Sequence, residues 1–456
     1  MQLIENRVIV ATNPKSPQFE NELGVSFFHS RSPRLGRTRI DLSARPSGSA
    51  SAKACQGSGV SKVVLLPGHV QPVWAGHPWI FAQAVARIEG GATAGDVIDV
   101  VDPRGNFLGR GLYSPQSAIV VRICTRRPDV ELDAGFFVAR IEQAIERRRA
   151  LGLPSARTNA YRLINAEGDD LPGLVVDVYA DVAVVQFASI GMKQRQSLIT
   201  DALTRLLGCR AIADRTSERT AKLEGFTAER GILRGDPSVN ELVFEERGLN
   251  YKVPFEMGQK TGFYLDQRSL RGRVEQLANG RRVLDAYCFI GSFSLAAARG
   301  GASEVVAIDS SALALETAAR MAELNQLTGK VRYEQADALA ALGHAGKQGG
   351  YDLVVCDPPK LSPNRASRNK AFVNLRRIAA AACRATRPSG LLVLCSCSAS
   401  LGIDDLTRAL AVGGRDVGLV PRVFERWFQG PDHPVPSAFG EGWYLSAVIA
   451  GIDTPS

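Results

Sequence analysis

The sequence predicts an α/β protein whose C-terminal half is a doubly wound, Rossmann-like parallel sheet, preceded by a small β-barrel domain and a central α/β domain. Three observations predict it. From Val283 onward, short apolar runs alternate with helical stretches, the order that builds a parallel sheet. Several of those runs end in a polar residue: Asp285, Asp309, Asp357 and Cys397, with Asp337 close behind a fifth. Between Val63 and about residue 127, short apolar strands are punctuated by Gly and Pro, the pattern of a small, mostly-β unit. At 456 residues the chain exceeds one ordinary core. The expected divisions are 1–60, 61–128, 129–245 and 246–456.

Composition narrows the class. With 45% hydrophobic and 22% charged residues the chain reads as a soluble globular protein. Its net charge of +9 favours an anionic partner such as nucleic acid. Residues 1–60 hold eight Lys/Arg against four Asp/Glu, so part of that excess lies in a segment expected to be disordered. Residues 30–58 are basic and acid-poor, as a transit peptide would be, but Glu5, Glu20 and Glu22 argue against that reading. Eight cysteines without a C-x-x-C pair give no metal signature. No apolar run has the length of a membrane span and no secretory signal opens the chain. A cytoplasmic protein with reduced thiols is the simplest account.

In order along the chain, Asp133 to Leu151 shows helical spacing at Phe137, Ile141 and Ile145, with Arg147, Arg148 and Arg149 near its end, where cations suit the helix dipole. Strands follow near 161–165, 174–178, 182–188, 211–214 and 242–253, with a helix near 193–207. The stretch 254–274 is denser in polar residues than a linker needs (Gln259, Lys260, Tyr264, Asp266, Gln267), and Asp266 is placed to cap a helix running to Leu277. Beyond Asp309, helices are expected at 313–324 and 367–386 and strands at 331–334, 353–355, 391–394, 422–427 and 444–449.

The chemistry is densest from Val283 to Asp309, a strand, a turn through Ile290, Gly291 and Ser292, a small-residue helix and a second strand. Ligands of such βαβ units lie beyond the carboxyl ends of the strands. A dinucleotide site would need G-x-G-x-x-G here, and instead the first strand ends in a carboxylate, which repels pyrophosphate and attracts a cation. S-adenosylmethionine carries two positive centres, so a methyl-donor site is the reading, with Asp309 placed to accept hydrogen bonds from a ribose. The bland alternative is a Rossmann-like unit of unspecified ligand.

Asp357-Pro358-Pro359 and Cys397 add a second function. Carbon 5 of a pyrimidine is a poor nucleophile, and addition of a thiolate to carbon 6 turns the ring into an enamine-like species that can take a methyl group. A carboxylate can hold the exocyclic amine and ring nitrogen of cytosine, and two prolines stiffen its loop. Cys395 and Cys356 compete with Cys397 for the thiolate role, and each of the three could equally be a small buried residue.

The segment 61–127, above all Gly76 to Phe81 (GHPWIF), resembles a PUA domain, an RNA-binding module, although His77, Trp79 and Phe81 individually read as core and turn residues. DAYCFIGSFSLAAARGGA, CDPPKL, LLVLCSCS and GQKTGFYLDQR together resemble the RlmI-type class I methyltransferases, which make 5-methylcytosine in large-subunit rRNA. The resemblance covers the chain from about 61 to HPVPSAFGEGWYL (433–445). It implies Cys397 as nucleophile and Asp357 at the target base. It further implies that Asp285, Ala286, Tyr287, Gly291, Ser292 and Phe293 surround the methionine part of S-adenosylmethionine, Asp309 and Ser310 the ribose, and Asp337 the adenine amine. Gln259 and Lys260 would close over the cofactor. Cys288-Phe289-Ile290 departs from the Ser/Thr-containing turn more usual there. The partners implied are RNA, with no membrane; a homodimer is one assembly open to such a chain. Two other functions remain: a nitrogen-directed RNA methyltransferase, which needs no thiol, and an RNA-binding assembly factor without catalysis. A dehydrogenase lacks its glycine triplet.

Overall fold

The computed structural model describes residues 60–255, 257, 261–361, 368–398 and 400–455; the expectation of disorder over 1–60 falls, Val60 apart, outside them, as do Gln259 and Lys260. The first sheet comprises β1 (Ser61–Leu65), β2 (Trp79–Phe81), β3 (Val85–Glu89), β4 (Val97–Val101), β5 (Phe107–Tyr113) and β6 (Ile119–Thr125), with α1 (Val70–Trp74) between the first two. Its strand order is β2-β6-β5-β4-β1-β3, and Ile80, Ile98, Val100 and Val121 fill its core.

After α2 (Ala134–Ala150), a second sheet is built from β7 (Ala160–Asn165), β8 (Leu174–Tyr179) and β9 (Val182–Phe187), then α3 (Ile190–Gln194), α4 (Gln196–Leu207), β10 (Ala211–Asp214), α5 (Glu218–Glu224) and β11 (Gly231–Gly235). Its order is β11-β10-β9-β8-β7. The single helix expected near 193–207 starts earlier and breaks at Arg195, and α5 and β11 went unanticipated. A hairpin follows, β12 (Glu241–Glu246) and β13 (Leu249–Pro254). The division placed at 245/246 falls inside this hairpin. Its Leu242, Phe244, Tyr251 and Val253 share one core with Tyr179 and Val184 behind them and with Phe263, Ile290 and Leu295 ahead.

The C-terminal sheet is assembled from α6 (Arg268–Leu277), β14 (Arg282–Ala286), α7 (Ser292–Arg299), β15 (Glu304–Asp309), α8 (Ala312–Leu324), β16 (Val331–Gln335), α9 (Ala338–Lys347), β17 (Tyr351–Cys356), α10 (Arg368–Ala385), β18 (Thr386–Ser396), α11 (Ile403–Asp416), β19 (Val420–Phe428) and β20 (Ser446–Asp453). The order is β16-β15-β14-β17-β18-β20-β19, parallel from β16 to β18 and antiparallel at β20 and β19. The strands near-uniformly bury Val, Leu and Ile because helices cover both faces. The order reverses between β14 and β17, and at that switch point the crevice for a ligand opens.

A buried ionic network ties the central sheet to the C-terminal one. Asp266 does not cap a helix: it lies in a short 3-10 turn (Leu265–Gln267) and is buried, so its carboxylate serves a tertiary contact, accepting a hydrogen bond from the Tyr444 hydroxyl at 2.8 Å. Of the three consecutive arginines, Arg148 is not a dipole cation at the surface. It is fully buried, bidentate on Asp169 at 2.5 and 2.7 Å, and it donates to the Asp432 carbonyl at 2.9 Å. The Asp432 carboxylate accepts from the Arg162 amide at 3.0 Å and from Arg268 at 2.9 Å. Burial works against its charge, yet His433, Arg268 and the Arg162 amide hold its carboxyl well below the usual range. A depressed carboxyl stabilises the fold above its unfolded value of about 4 and loses that contribution as the pH falls. Asp432→Ala, which among the described residues leaves Arg268 only Glu246 as a carboxylate partner and the Arg162 amide without its acceptor, is expected to cost roughly 3 kcal/mol in denaturant unfolding.

Candidate active site

Strand register alone brings the polar strand ends together. Ala286 on β14 pairs with Cys356 on β17, and Cys356 with Leu394 on β18. Asp285, Asp357 and the Cys395–Cys397 stretch therefore end in one row across the switch point. Asp309 closes the neighbouring β15, one residue beyond the Ala286–Ile308 pair.

The turn after β14 is held in an unusual backbone shape. Tyr287 and Phe289 have φ of 65° and 51°, and Gly291 of 72°; a side chain at Gly291 would crowd Ala318. Positive φ at two non-glycine residues persists only where surroundings impose it. Here Cys288 N–H donates to the Ile308 carbonyl at 3.0 Å and Phe289 N–H to the Asp309 carboxylate at 2.9 Å. No side chain caps the start of α7, so Ser292 and Phe293 lie at a helix N-terminus whose first N–H groups lack intrahelical partners. Tyr264, from the stretch before α6, sets its ring edge-on to Phe289 at 5.9 Å.

Asp285 is fully buried. One oxygen accepts from the Ser294 hydroxyl at 2.5 Å, and the other, Oδ1, has no hydrogen-bond partner among the described residues. Burial, outweighing the Ser294 bond, together with the charges of Asp357 and Asp309 lifts its carboxyl to about 7. A buried acceptor amid three carboxylates suits a ligand that brings a positive charge, and the residues present thus fit the amino and sulfonium groups of S-adenosylmethionine. Asp309 already accepts from the Phe289 and Ser311 amides, the latter at 2.9 Å, which fixes its orientation beside Ser310. Asp337 is exposed and caps α9 through the Ala340 amide at 2.7 Å. Gln259 and Lys260 lie outside the described residues, but the foot of their loop is pinned: Thr261 donates to Asp177, and Phe263 N–H to the Tyr179 hydroxyl at 3.1 Å, both from the central sheet.

At the other side of the crevice, Asp357 accepts from the Gln267 side-chain amide at 2.8 Å. The three cysteines differ in setting. Cys356 and Cys395 are fully buried, and burial, helped by the nearby Asp357, pushes both thiols well above the ordinary range. Cys397 is half-buried. It is flanked by the buried Ser396 and Ser398. Burial, then Asp266, pushes the Tyr444 phenol well above the ordinary range. Gln267 and Tyr444 were missed as site residues by sequence reasoning. Gln267 stood within the polar-rich stretch before α6, the one available signal.

Comparisons with known proteins agree with this geometry. Residues 63–126 match the PUA-like domain family, and residues 226–437 match an S-adenosylmethionine-dependent methyltransferase family. Curated relatives named "Ribosomal RNA large subunit methyltransferase I" include one from Alteromonas mediterranea, 36% identical over 86% of this chain and 99% of its own length. Another, from Shewanella denitrificans, is 37% identical over the same shares. Among solved structures, SMU.776, a putative methyltransferase complexed with SAH, superposes with a TM-score of 0.74 at 20% identity, covering 86% of this chain and 99% of that one. A putative SAM-dependent methyltransferase from Streptococcus mutans superposes at 0.72 and 19%, with the same coverage. These two share the fold.

Below a pH of about 7, a cation bound at Asp285 must displace a proton. With S-adenosylmethionine as that cation, its Kd by calorimetry is expected to be flat at higher pH and to rise roughly tenfold per pH unit below that point. Asp285→Asn is expected to bind weakly and without this dependence. By the same linkage, the raised carboxyl makes the ligand-free fold lose stability as pH climbs through about 7.

Proposed function

Because the chain belongs to the ribosomal RNA large subunit methyltransferase I family, and uses S-adenosylmethionine, we propose that it methylates carbon 5 of a cytosine in large-subunit rRNA through a covalent adduct with Cys397. One observation carries the finer reading: of the three cysteines at these strand ends, Cys397 alone is not fully buried. A nucleophile must reach its substrate and lose a proton, and the burial of Cys356 and Cys395 opposes both.

In this reading Asp357 accepts from the exocyclic amine of the target base, and Gln267 fixes which way the carboxylate faces. The base leaves its stack to reach the crevice, as bases do in enzymes that modify them. The Cys397 thiolate forms a bond to carbon 6, and the ring electron pair moves to carbon 5. S-adenosylmethionine supplies the electrophilic methyl group that carbon 5 takes. Loss of the carbon-5 proton to a base and return of the electron pair to sulfur then break the S–C6 bond and restore the thiolate. Asp285 would hold the cofactor's amino group and Asp309 its ribose, with Asp337, Ser310 and the 286–293 turn around the remainder. The Tyr179 and Asp177 contacts would fix the hinge of the Gln259–Lys260 loop.

Cys397→Ala is expected to lower transfer of labelled methyl into rRNA on the order of a thousandfold or more while leaving S-adenosylmethionine affinity unchanged. Cys395→Ala is expected to retain most of the rate. Nucleoside mapping of the product is expected to give 5-methylcytosine. Full activity of the Cys397 variant, or methyl on a ring nitrogen, contradicts the mechanism.

A further inference from the structure

The connection between β19 and β20 folds back onto the N-terminal sheet. Phe439 on that connection packs edge-on against Trp79 of β2, ring centroids 4.6 Å apart, and against His77 at 5.6 Å. His77 also meets Glu441 at 3.3 Å. Gly76, with φ +118°, has Ala438 where a side chain would point, and Gly168 has no room for one against Pro434. Glu167, in the turn after β7, accepts from the Trp79 indole N–H at 2.8 Å, and burial raises its carboxyl.

Between these pieces lies a cavity of about 180 Å³, bordered by Trp79, Glu167, Pro434, Phe439 and Tyr444. It is smaller than the roughly 300–1,000 Å³ of drug-sized sites and suits one flat ring system. Tyr444 also donates to Asp266, the neighbour in the chain of Gln267, whose side-chain amide donates to Asp357, so one wall of the cavity is joined to the crevice. Among the described residues no Lys or Arg lines it. A phosphate therefore finds no partner there, whereas a base finds the half-buried Trp79 ring, backed by the buried Phe439, beside the carboxyls of Glu167 and Glu441.

We propose that this cavity takes one unpaired base of the RNA substrate, a neighbour of the methylated nucleotide, packed against Trp79 with its N–H edge toward Glu167. The N-terminal sheet then acts within the active site, reading a base rather than only adding affinity for the backbone, since single-stranded RNA is recognised by stacking and by the edges of splayed bases. The proposal rests on the RNA-methylating reading above.

The test measures binding of a fluorescent RNA hairpin with a cytosine-containing unpaired loop to the full chain, Trp79→Ala and Glu167→Gln, at several salt concentrations. Loss of one stacked base is expected to weaken binding by Trp79→Ala roughly tenfold. The dependence of log affinity on log salt is expected to match the parent, because no phosphate contact is lost, and S-adenosylmethionine affinity is expected to stay unchanged. Glu167→Gln is expected to weaken binding less and to alter which base is preferred in the loop. Parent-like RNA binding by both variants overturns the proposal, as does a flatter salt dependence. Should Trp79→Ala also lose the cofactor, Glu167→Gln alone decides. A parent chain that binds no RNA would sink the RNA-methylating reading as well, whereas a binding parent with unaffected variants sinks only this one.

Discussion

The site depends on one constraint, the parallel pairing of β14 with β17 and of β17 with β18. That register sets Ala286 beside Cys356 and Cys356 beside Leu394. A slip of one residue would move the polar ends out of their common row and turn every buried side chain toward the other layer of helices. With Val283, Leu284, Val354, Val355, Leu392 and Val393 all buried, the apolar cost of any other register is large. The chemistry is therefore positioned by hydrophobic burial, although it is performed by carboxylates and a thiol.

The crevice so formed is electrostatically unbalanced. Burial first, and then the charges of Asp357 and Asp309, raise the Asp285 carboxyl. In the proposed reading a cationic methyl donor would offset that negative charge, coupling cofactor binding to the charge state of the site. The same acidity works against a thiolate, so the proposed nucleophile benefits from being the one sulfur of the three that is not enclosed with Asp357 in low dielectric. The buried Arg148–Asp169 and Arg268–Asp432 pairs lie behind this crevice. They join the central sheet to the element that carries Gln267, and so to the orientation of Asp357.

Much of the fold was legible because its signals are local. Runs of two to four apolar residues ending in Asp, and a helix of small residues after Gly291, are signals within a short window. The acidic strand ends at Asp285, Asp309 and Asp357 came from the same signal. What stayed hidden depends on residues far apart in the chain. Gln267 meets Asp357 across 90 positions and Tyr444 meets Asp266 across 178. No propensity marks a glutamine as a carboxylate's partner, and an aspartate near a helix start looks like a cap until its tertiary partner is seen. Arg148 likewise read as one of three surface cations, because burial of an arginine depends on Asp169, 21 residues away. The strand β11 and helix α5 are short and half-exposed, so their periodicity was too weak to register.

The most direct measurement is capture of the proposed adduct. In RNA whose cytosine carries fluorine at carbon 5, the final proton loss has no proton to remove, and a sulfur bound to carbon 6 stays bound. Incubation with S-adenosylmethionine, digestion and fragment-ion mass mapping are expected to give a methylated, fluorinated nucleotide on the sulfur of Cys397. The absence of any adduct from protein that methylates ordinary RNA, or an adduct on Cys356 or Cys395, would contradict the account.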